Sequence, residues 1–365
     1  SGCVSSAVVN VVVNTLPFIV PANTGPYCAG TTINLSTPAS ATYTWTGPNA
    51  FTSNLQNPTI PSSQLVHAGI YSVTVTNAGG CQSSGTTNVV VNPTPTATAV
   101  NNSALCSGFQ LNLTGGGGGT YAWTGPAFTS ALQNPSIPNS TTANSGTYTL
   151  TVTNASGCTN SITTVVTINS LPVVAVTNPT NCVNTTINLT SNGGVSYSWT
   201  GPNAFTSNLQ NPTIPLAQIN MTGVYVVTVT DANGCVSTAN ANVSVLALPN
   251  PNIVSNSPVC AGNTLNLFGS GGASYSWTGP GYNGPTQNPV ISNVTAAANG
   301  VYTLLVSSGT CTASTTFTVL INPVPVFNFS GTNVLCNGQA NGTSTVNVTV
   351  GTAPFNYSWS TIPTQ

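Results

Sequence analysis

The sequence predicts an all-β protein built from a row of similar sandwich domains, and three observations lead to this prediction. Apolar and polar residues alternate in runs such as YSVTVTN (71–77) and YTLTVTN (148–154), a two-residue period that is typical of strands. Clusters of Gly, Asn, Ser and Pro separate these runs at short intervals, as in sandwich folds. The same landmarks return about every 77 residues, so one domain is expected to be repeated several times.

The stretch WTGPNAFTSNLQNPTIP shows the repeat most directly, because it occurs unchanged at residues 45–61 and 199–215. Each tryptophan follows a tyrosine by two residues, and a Gly-x-Tyr motif follows each of the first four. The cores are predicted to contain Trp45, Trp123, Trp199, Trp277, Trp359, Tyr71, Tyr148, Tyr225 and Tyr302. The predicted domains are 16–94, 95–171, 172–249 and 250–325, preceded by the last strand of another domain (1–15) and followed by the start of an incomplete repeat (326–365).

Residues 16–94 illustrate the strand order expected in each domain. An extended segment over FIVPANTGPY leads to a turn at Cys28, and TTINLS and ATYTW supply the next two strands, with Trp45 directed inward. The stretch FTSNLQNPTIP supplies a short edge strand, because its prolines cannot donate to a central ladder. GIYSVTVTN is expected to be a long inner strand, NAGGC a hairpin turn and TTNVVVN the last strand.

A tryptophan on the third strand and a Gly-x-Tyr motif opening the sixth resemble an immunoglobulin-type (Ig-like) sandwich. Val73 occupies the position of the second cysteine of an antibody domain, so the disulfide within that domain is not expected. The pattern CAG…L.L…Y.WTGP…QNP.I…G.Y.VTVTN..GC is similar to the tandem Ig-like units of giant surface adhesins of Bacteroidota. Residues 334–360 resemble the SprB-type repeat of gliding-motility adhesins. The resemblance implies a cell-surface protein exported by type IX secretion, with a role in gliding or attachment.

The ten cysteines follow the same rhythm in two series, Cys28, Cys106, Cys182, Cys260 and Cys336, and Cys3, Cys81, Cys158, Cys235 and Cys311. In the strand directions of the resembled fold, the first series lies at the end facing the next domain and the second at the opposite end. Disulfides hold Cα atoms within about 7 Å, so an inter-domain register is favoured: Cys28–Cys158, Cys106–Cys235 and Cys182–Cys311. The alternative is an intra-domain register: Cys28–Cys81, Cys106–Cys158, Cys182–Cys235 and Cys260–Cys311.

The inter-domain register would link consecutive domains covalently. Proline-containing junctions such as NPTP (92–95) and NPVP (322–325) already restrict bending. The expected architecture is therefore a tandem array of Ig-like domains forming an elongated, disulfide-linked rod.

Composition argues against most chemistry. The chain has no Lys or Arg, and its one acidic residue, Asp231, and one histidine, His67, fall in different domains. General acid–base catalysis needs a titratable group, calcium needs several oxygen ligands, zinc favours closely spaced cysteine pairs, and nucleic-acid binding needs cations. The run Gly115–Gly119 lacks the ending of a phosphate-binding loop. No catalytic, cofactor-binding, metal or nucleic-acid site is expected.

Regularly spaced cysteines fit an oxidising, extracellular setting, and no apolar run is long enough to insert into a membrane. Sequons at Asn34, Asn112, Asn188 and Asn242 raise the hypothesis of a glycoprotein. The function expected is a non-enzymatic stalk or adhesin segment attached to the cell surface, with an unidentified surface, glycan or protein ligand. The alternatives are a subunit of a multi-chain extracellular filament that self-associates and a carbohydrate-binding module.

Overall fold

The computed structural model describes residues 2–336 and 338–360, and over these residues the fold is all-β without an α-helix. The chain divides into two units, Ser1–Leu171 and Pro172–Gln365. Each unit contains two sandwiches with separate hydrophobic cores. We number these sandwiches domains 1 to 4, with the residue ranges predicted above.

The first unit contains domains 1 and 2. The strands of domain 1 are β1 (Ala22–Asn23), β2 (Tyr27–Cys28), β3 (Ile33–Ser36), β4 (Thr42–Gly47), β5 (Phe51–Ser53), β6 (Thr59–Ile60), β7 (Gly69–Thr76), β8 (Gln82–Val89) and β9 (Val91–Asn92). The strands of domain 2 are β10 (Thr98–Asn101), β11 (Leu105–Cys106), β12 (Leu111–Gly116), β13 (Thr120–Gly125), β14 (Phe128–Ser130), β15 (Ser136–Ile137), β16 (Gly146–Thr153), β17 (Thr159–Val166) and β18 (Ile168–Asn169). Short 3-10 helices cover Leu65–His67 and Thr142–Asn144.

The second unit contains domains 3 and 4. The strands of domain 3 are β19 (Thr180–Cys182), β20 (Ile187–Asn188), β21 (Ser196–Gly201), β22 (Phe205–Ser207), β23 (Thr213–Ile214), β24 (Gly223–Thr230) and β25 (Val236–Leu246). The strands of domain 4 are β26 (Asn252–Ser255), β27 (Val259–Cys260), β28 (Leu265–Ser270), β29 (Ser274–Gly279), β30 (Tyr282–Gly284), β31 (Val290–Ile291), β32 (Gly300–Ser308), β33 (Cys311–Val319) and β34 (Ile321–Asn322). Short 3-10 helices cover Pro202–Ala204, Ile219–Met221 and Ala296–Ala298.

Each domain packs one small sheet against one larger sheet. In domain 1 the orders are β1-β3-β6 and β5-β4-β7-β8, and the short strands β2 and β9 pair in parallel beside the larger sheet. Domains 2 and 4 repeat this arrangement, with sheets β10-β12-β15 and β14-β13-β16-β17, and β26-β28-β31 and β30-β29-β32-β33. In domain 3 the last strand is continuous, so β19 joins it directly in the five-stranded sheet β19-β25-β24-β21-β22. This topology is that of an Ig-like sandwich.

The first strand differs from its prediction. The sequence predicted one extended segment over 18–27, whereas the structure has two short strands, β1 and β2, on either side of Gly25–Pro26. Proline has no N–H to donate to a ladder, so pairing is interrupted there. β1 pairs with β3 in one sheet and β2 pairs with β9 beside the other. The split places Cys28 next to Asn92, where the last strand leaves the domain.

The two-residue alternation decides which side chains form the cores. Trp45 on β4 and Tyr71 on β7 are completely buried, and Val73 packs beside them. The equivalent residues of domains 2 to 4 are at most 1% exposed: Trp123, Trp199, Trp277, Tyr148, Tyr225 and Tyr302. The aromatic pair of each repeat therefore fills the space between its two sheets.

The repeated WTGP and Gly-x-Tyr motifs contact each other, and this explains why they recur together. A Cβ atom on Gly47 would lie 2.3 Å from the Tyr71 ring, so no larger residue fits there. Gly69 has a φ of +136°, and a Cβ on it would lie 2.8 Å from Pro48. The same contacts recur at Gly125, Gly201 and Gly279 and at Gly146, Gly223 and Gly300.

The repeated QNP motif satisfies buried polar groups. In domain 2 the Gln133 side chain donates to the Gly115 carbonyl (2.9 Å), and the Gln133 backbone carbonyl accepts from Trp123 Nε1 (3.2 Å). Asn134 Oδ1 accepts from the Gly115 N–H (3.1 Å). Equivalent bonds form around Trp199 and Trp277, whereas Trp45 Nε1 in domain 1 has no hydrogen-bond partner among the described residues. The motif therefore gives the buried indole N–H an acceptor and binds the end of β12 to the loop that carries Gln133.

The two ends of the chain depart from expectation. Residues 326–350 form a hairpin of β35 (Val326–Thr332) and β36 (Thr343–Val350), and no second sheet formed by the described residues covers it. The prediction that Trp359 is a core residue is wrong, because its side chain is 55% exposed. Two strands alone bury too little apolar surface to form a core.

The N-terminal segment also differs from its prediction. Residues 2–21 contain no strand, so the strand predicted at 1–15 is absent over its described part, where it has no neighbouring sheet.

Candidate functional site at the domain junctions

In the first unit, Cys28 of domain 1 is bonded to Cys158 of domain 2, with Cα atoms 5.5 Å apart. Cys28 ends β2, and Cys158 follows the hairpin turn between β16 and β17, where its side chain is completely buried. Residues from two consecutive domains therefore meet at one covalent bond.

In the second unit, Cys182 of domain 3 is bonded to Cys311 of domain 4, with Cα atoms 5.6 Å apart. Cys106 and Cys235 are also disulfide-bonded, and their bond to each other remains a prediction. Free cysteines among the described residues are Cys3, Cys81, Cys260 and Cys336.

The intra-domain register is wrong for the bonds that are described. Cys28 is bonded to Cys158 and Cys182 to Cys311, so Cys28–Cys81, Cys106–Cys158, Cys182–Cys235 and Cys260–Cys311 do not form. The reason is distance: Cys28 lies beside Asn92 at one end of domain 1, and Cys81 precedes β8 at the other. The eight residues of β8 alone span about 27 Å, far beyond the reach of a disulfide.

An Asn or Asp four residues earlier shapes the hairpin that carries three of these cysteines. Asn154 Oδ1 accepts hydrogen bonds from the backbone N–H groups of Ser156 (3.1 Å) and Cys158 (3.0 Å). Asn77 and Asp231 make the same two bonds in domains 1 and 3. The constant spacing Asx-x-x-Gly-Cys was the signal that could have identified the role of this Asn or Asp.

The Asn154 side chain also binds the linker that enters domain 2. Its Nδ2 donates to the Pro93 carbonyl at 2.8 Å, and Asn160 Nδ2 donates to the Pro95 carbonyl at 2.9 Å. Proline carbonyls have no strand partner here, so the two amides satisfy acceptors of the NPTP segment. The junction between domains 1 and 2 thus combines one disulfide with two amide contacts.

The junction between domains 3 and 4 lacks these amides. Its hairpin is shorter, with Ser308 at the Asn154 position and Ala313 at the Asn160 position. Gly309 lies against Leu246, whose Cδ1 would be 3.4 Å from a Cβ on the glycine. This hairpin therefore has an apolar neighbour from domain 3.

Each domain also contains a tyrosine whose hydroxyl binds a carbonyl four residues upstream. The donors and acceptors are Tyr71 and His67, Tyr148 and Asn144, Tyr225 and Met221, and Tyr302 and Ala298. Burial raises the pKa of all four tyrosines above the ordinary 10.0. This is the tyrosine corner of Ig-like domains, and it fixes the loop before the long inner strand.

His67 and Asp231 each have a structural role within their own domain. His67 Nδ1 accepts from the Gln64 N–H, which closes the short helix of domain 1, and Asp231 shapes a hairpin. Across the described residues, no three His, Cys, Asp or Glu side chains lie close enough to hold a metal ion. Gly115 and Gly116 end β12, and Gly117–Gly119 form the turn that follows.

The candidate glycosylation residues Asn34, Asn112, Asn188 and Asn242 have exposed side chains on strands. Their modification remains a prediction that the intact mass of the natural protein would test. Within the described part of the chain, no helix has the length and hydropathy needed to span a bilayer.

Comparison with known families locates one match. The model of the SprB repeat matches residues 328–364, about a tenth of the chain. Among curated proteins, none matches the sequence.

Several solved structures of Ig-domain arrays are similar to this chain. The N-terminal eight Ig domains of Down Syndrome Cell Adhesion Molecule isoform 1.30.30 are 14% identical, with 86% of this chain and 49% of that chain covered and a TM-score of 0.37. An I-band fragment from titin is 14% identical, covering 64% and 100%, with a TM-score of 0.39. Ig domains 1–5 of Sidekick-1 are 12% identical, covering 86% and 81%, with a TM-score of 0.28. The chain thus spans about half the length of the first of these structures.

The class of protein follows from the domain topology and the family match. The chain is a tandem array of Ig-like domains followed by a segment that matches the SprB repeat.

Proposed function

We propose that this chain is a non-enzymatic stalk segment of an extracellular, surface-attached adhesin, and that its disulfides limit how far it extends under tension. The observation that carries this proposal is that each described disulfide joins two consecutive domains. A bond within one domain would protect that domain alone, whereas these bonds provide a covalent path from domain to domain.

The load path can be followed along the chain. Tension applied at residues 16 and 325 passes through Cys28–Cys158 and then through Cys182–Cys311. The backbone left in series is 16–28, 158–182 and 311–325, about 50 residues, which span at most ~170 Å when fully extended. The loops of 130 and 129 residues that the bonds close do not have to extend.

Single-molecule force spectroscopy of the full chain, held at positions 16 and 325, tests this path. Without reductant, extension is expected to stop near ~170 Å. Reduction releases the two closed loops, so that about 310 residues in all can extend, to ~1,000 Å. The Cys28→Ser/Cys158→Ser variant is expected to extend further than the wild type without reductant. Equal extension with and without reductant would contradict the load-bearing role.

A surface location is supported by the SprB match and by the composition of the exposed faces. Outward positions are largely Thr, Ser and Asn, which hydrogen-bond with water without charge. We place the chain in gliding or attachment of a Bacteroidota cell after type IX export, with a glycan or protein surface as ligand. Antibody labelling of intact producing cells tests the location, and absence of label until cells are permeabilised would contradict it.

A multi-chain filament is the second candidate, and one observation favours it. The larger sheet of domain 1 has an outward row of Thr44, Thr74 and Ser84 on adjacent strands, with Thr74 and Ser84 hydroxyls 2.8 Å apart. Domain 2 has an equivalent pair, Thr151 and Ser161. Charges that normally oppose sheet association are missing from these faces.

Sedimentation and electron microscopy distinguish the two candidates. A filament predicts ordered multi-chain assemblies that Thr74→Lys with Thr151→Lys disperses, whereas Asn34→Lys on the other sheet of domain 1 leaves them intact. A single stalk predicts isolated molecules for all three proteins.

A further inference from the structure

Two of the free cysteines, Cys81 and Cys260, occupy the same structural positions as cysteines that are bonded. Cys260 ends β27, which pairs in parallel with β34 so that Cys260 lies opposite Asn322. Cys28 lies opposite Asn92 in the same register. The exposed thiol of Cys260 therefore lies at the same end of domain 4 as the bonded sulfur of Cys28 does in domain 1.

Cys81 has the surroundings of Cys158. Its N–H donates to Asn77 Oδ1 (3.0 Å), and its carbonyl accepts from the Asn77 N–H (3.0 Å). Cys158 makes both bonds with Asn154 at the same distances. The hairpin that holds a bonded cysteine in domain 2 is thus already formed around the free thiol in domain 1.

A second observation concerns the segment that enters domain 1, which makes the same amide contact as the segment that enters domain 2. Asn77 Nδ2 donates to the Thr15 carbonyl at 2.8 Å, as Asn154 Nδ2 donates to Pro93 at 2.8 Å. Asn14 Nδ2 donates to the Gly79 carbonyl, and the Asn14 carbonyl lies 3.6 Å from Cys81 Sγ. The incoming segment is therefore seated on the hairpin, and the thiol is directed to the region that Cys28 occupies at the next junction.

From these equivalences we infer that Cys81 and Cys260 are attachment sites for further Ig-like modules. Cys81 forms a disulfide with a cysteine in the turn after the first strand of another module, which is the position of Cys28 in domain 1. Cys260 forms a disulfide with a cysteine in the hairpin between the two long strands of another module, which is the position of Cys158 in domain 2 and of Cys311 in domain 4. The modules can belong to the same polypeptide or to a second copy, since the thiol chemistry is the same. The inference holds whatever the linked array does at the surface.

Bond formation requires an oxidant, for which a small-molecule disulfide such as glutathione disulfide suffices. The thiolate of Cys81 attacks one sulfur and releases one glutathione thiolate, giving a mixed disulfide. The thiolate of the incoming module then attacks Cys81 Sγ and releases the second glutathione. Two protein thiols are oxidised to one disulfide, and glutathione disulfide is reduced to two glutathione thiols.

The recombinant 365-residue chain, treated with glutathione disulfide, gives the first test. Cys81 and Cys260 are expected to take up glutathione, whereas Cys28, Cys158, Cys182 and Cys311 do not. Peptic digestion at low pH suits this chain, because it has no Lys or Arg for trypsin to recognise and low pH suppresses exchange. Failure of Cys81 or Cys260 to react in the folded chain would remove it as an attachment site.

The second test maps disulfides in protein extracted from cells with thiols blocked by N-ethylmaleimide. The expected linked peptides join Cys81 to a turn cysteine and Cys260 to a hairpin cysteine of another module. Cys81→Ser and Cys260→Ser are each expected to remove one linked peptide and leave the other. Recovery of both cysteines as blocked free thiols, or linked to the opposite kind of cysteine, overturns the inference. Producing the chain as a mixture of ¹⁴N- and ¹⁵N-labelled copies distinguishes the sources, because mixed-isotope peptides arise only between copies.

Discussion

The junction between domains 1 and 2 and the junction between domains 3 and 4 contain the same bond but different surroundings. Both disulfides hold Cα atoms at 5.5–5.6 Å. The first junction adds two amide contacts to proline carbonyls, whereas the second has Ser308 and Ala313 at those positions and a leucine against its hairpin. The comparison indicates that the disulfide is the feature common to both junctions. Because the disulfide keeps the two domains linked, the polar contacts around it can differ between junctions.

The largest expected effect is a loss of stability at high pH, and it should be shared by the domains on both sides of each junction. Unfolded tyrosine ionises near pH 10, whereas burial raises the pKa of Tyr71, Tyr148, Tyr225 and Tyr302. The folded state therefore keeps its protons longer, so stability is retained below about pH 10 and lost as pH rises through the folded-state pKa values. Denaturant midpoints from tryptophan fluorescence should fall at high pH in both units.

Replacing the four tyrosines by phenylalanine is the control, and it should flatten this dependence above pH 10. Acid should have little effect, because Asp231 is the only carboxylate side chain. Alkaline loss confined to one unit would break the equivalence of the domains.

The next largest effect is the loss of stability on removing a disulfide, and its local consequences should differ between the two junctions. Removing a native disulfide costs about 2–5 kcal/mol, so Cys28→Ser/Cys158→Ser and Cys182→Ser/Cys311→Ser should both lower the free energy of unfolding. The second pair should expose its hairpin more, because no amides remain there. Hydrogen exchange at residues 309–311 compared with 155–158 measures this difference. Equal protection in the two variants would show that the amides contribute nothing.

A smaller effect is expected for the amide itself. Asn154→Asp keeps an oxygen that accepts from Cys158 but loses the donor to Pro93, so stability should fall by about 0.5–1.5 kcal/mol. Asn154→Ala should cost more, because the hairpin bonds are lost as well. Thermal unfolding of both variants, with Cys28–Cys158 intact, tests the order. The reverse order would mean that the carboxylate, rather than the missing donor, causes the loss.

The smallest effect concerns the cores on either side of the first junction. Trp123→Phe removes a hydrogen bond to Gln133 that Trp45→Phe does not, since Trp45 Nε1 has no partner among the described residues. This bond, at 3.2 Å, is longer than the 2.8 Å bond of Asn154, so domain 2 should lose only about 0.5 kcal/mol more than domain 1. Urea unfolding followed by circular dichroism measures both, and equal losses would show that the indole bond is unimportant.

Much of the fold follows from patterns that depend on near neighbours in sequence. Alternating runs such as YSVTVTN predict strands, because one face of each sheet must be buried, and Tyr71, Val73 and Val75 are buried accordingly. The same reasoning placed Trp359 in a core, where it failed. Alternation determines which face of a strand a residue lies on, but burial also needs a second sheet. Among the described residues, none covers the hairpin at 326–350.

The candidate site was less accessible to sequence reasoning. The two pairing registers use the same cysteines, and the choice rested on strand directions taken from a resemblance. In the structure Cys28 is bonded to Cys158 and Cys182 to Cys311, while the predicted Cys106–Cys235 bond awaits non-reducing peptide mapping. The amide contacts of Asn154 and Asn160 were missed, because a polar residue in a turn has many local partners and its distant one cannot be read from spacing.

By itself the sequence determined the all-β character, the repeat and the absence of charge, because strand period and composition are local properties of the chain. The tertiary structure alone decided which ends of the linked domains meet and, among the described residues, which indole N–H lacks a hydrogen bond and which thiols are free. Those outcomes depend on distances between residues far apart in sequence, such as Cys28 and Cys158, and two cysteines bond only where the folded chain brings their sulfur atoms together.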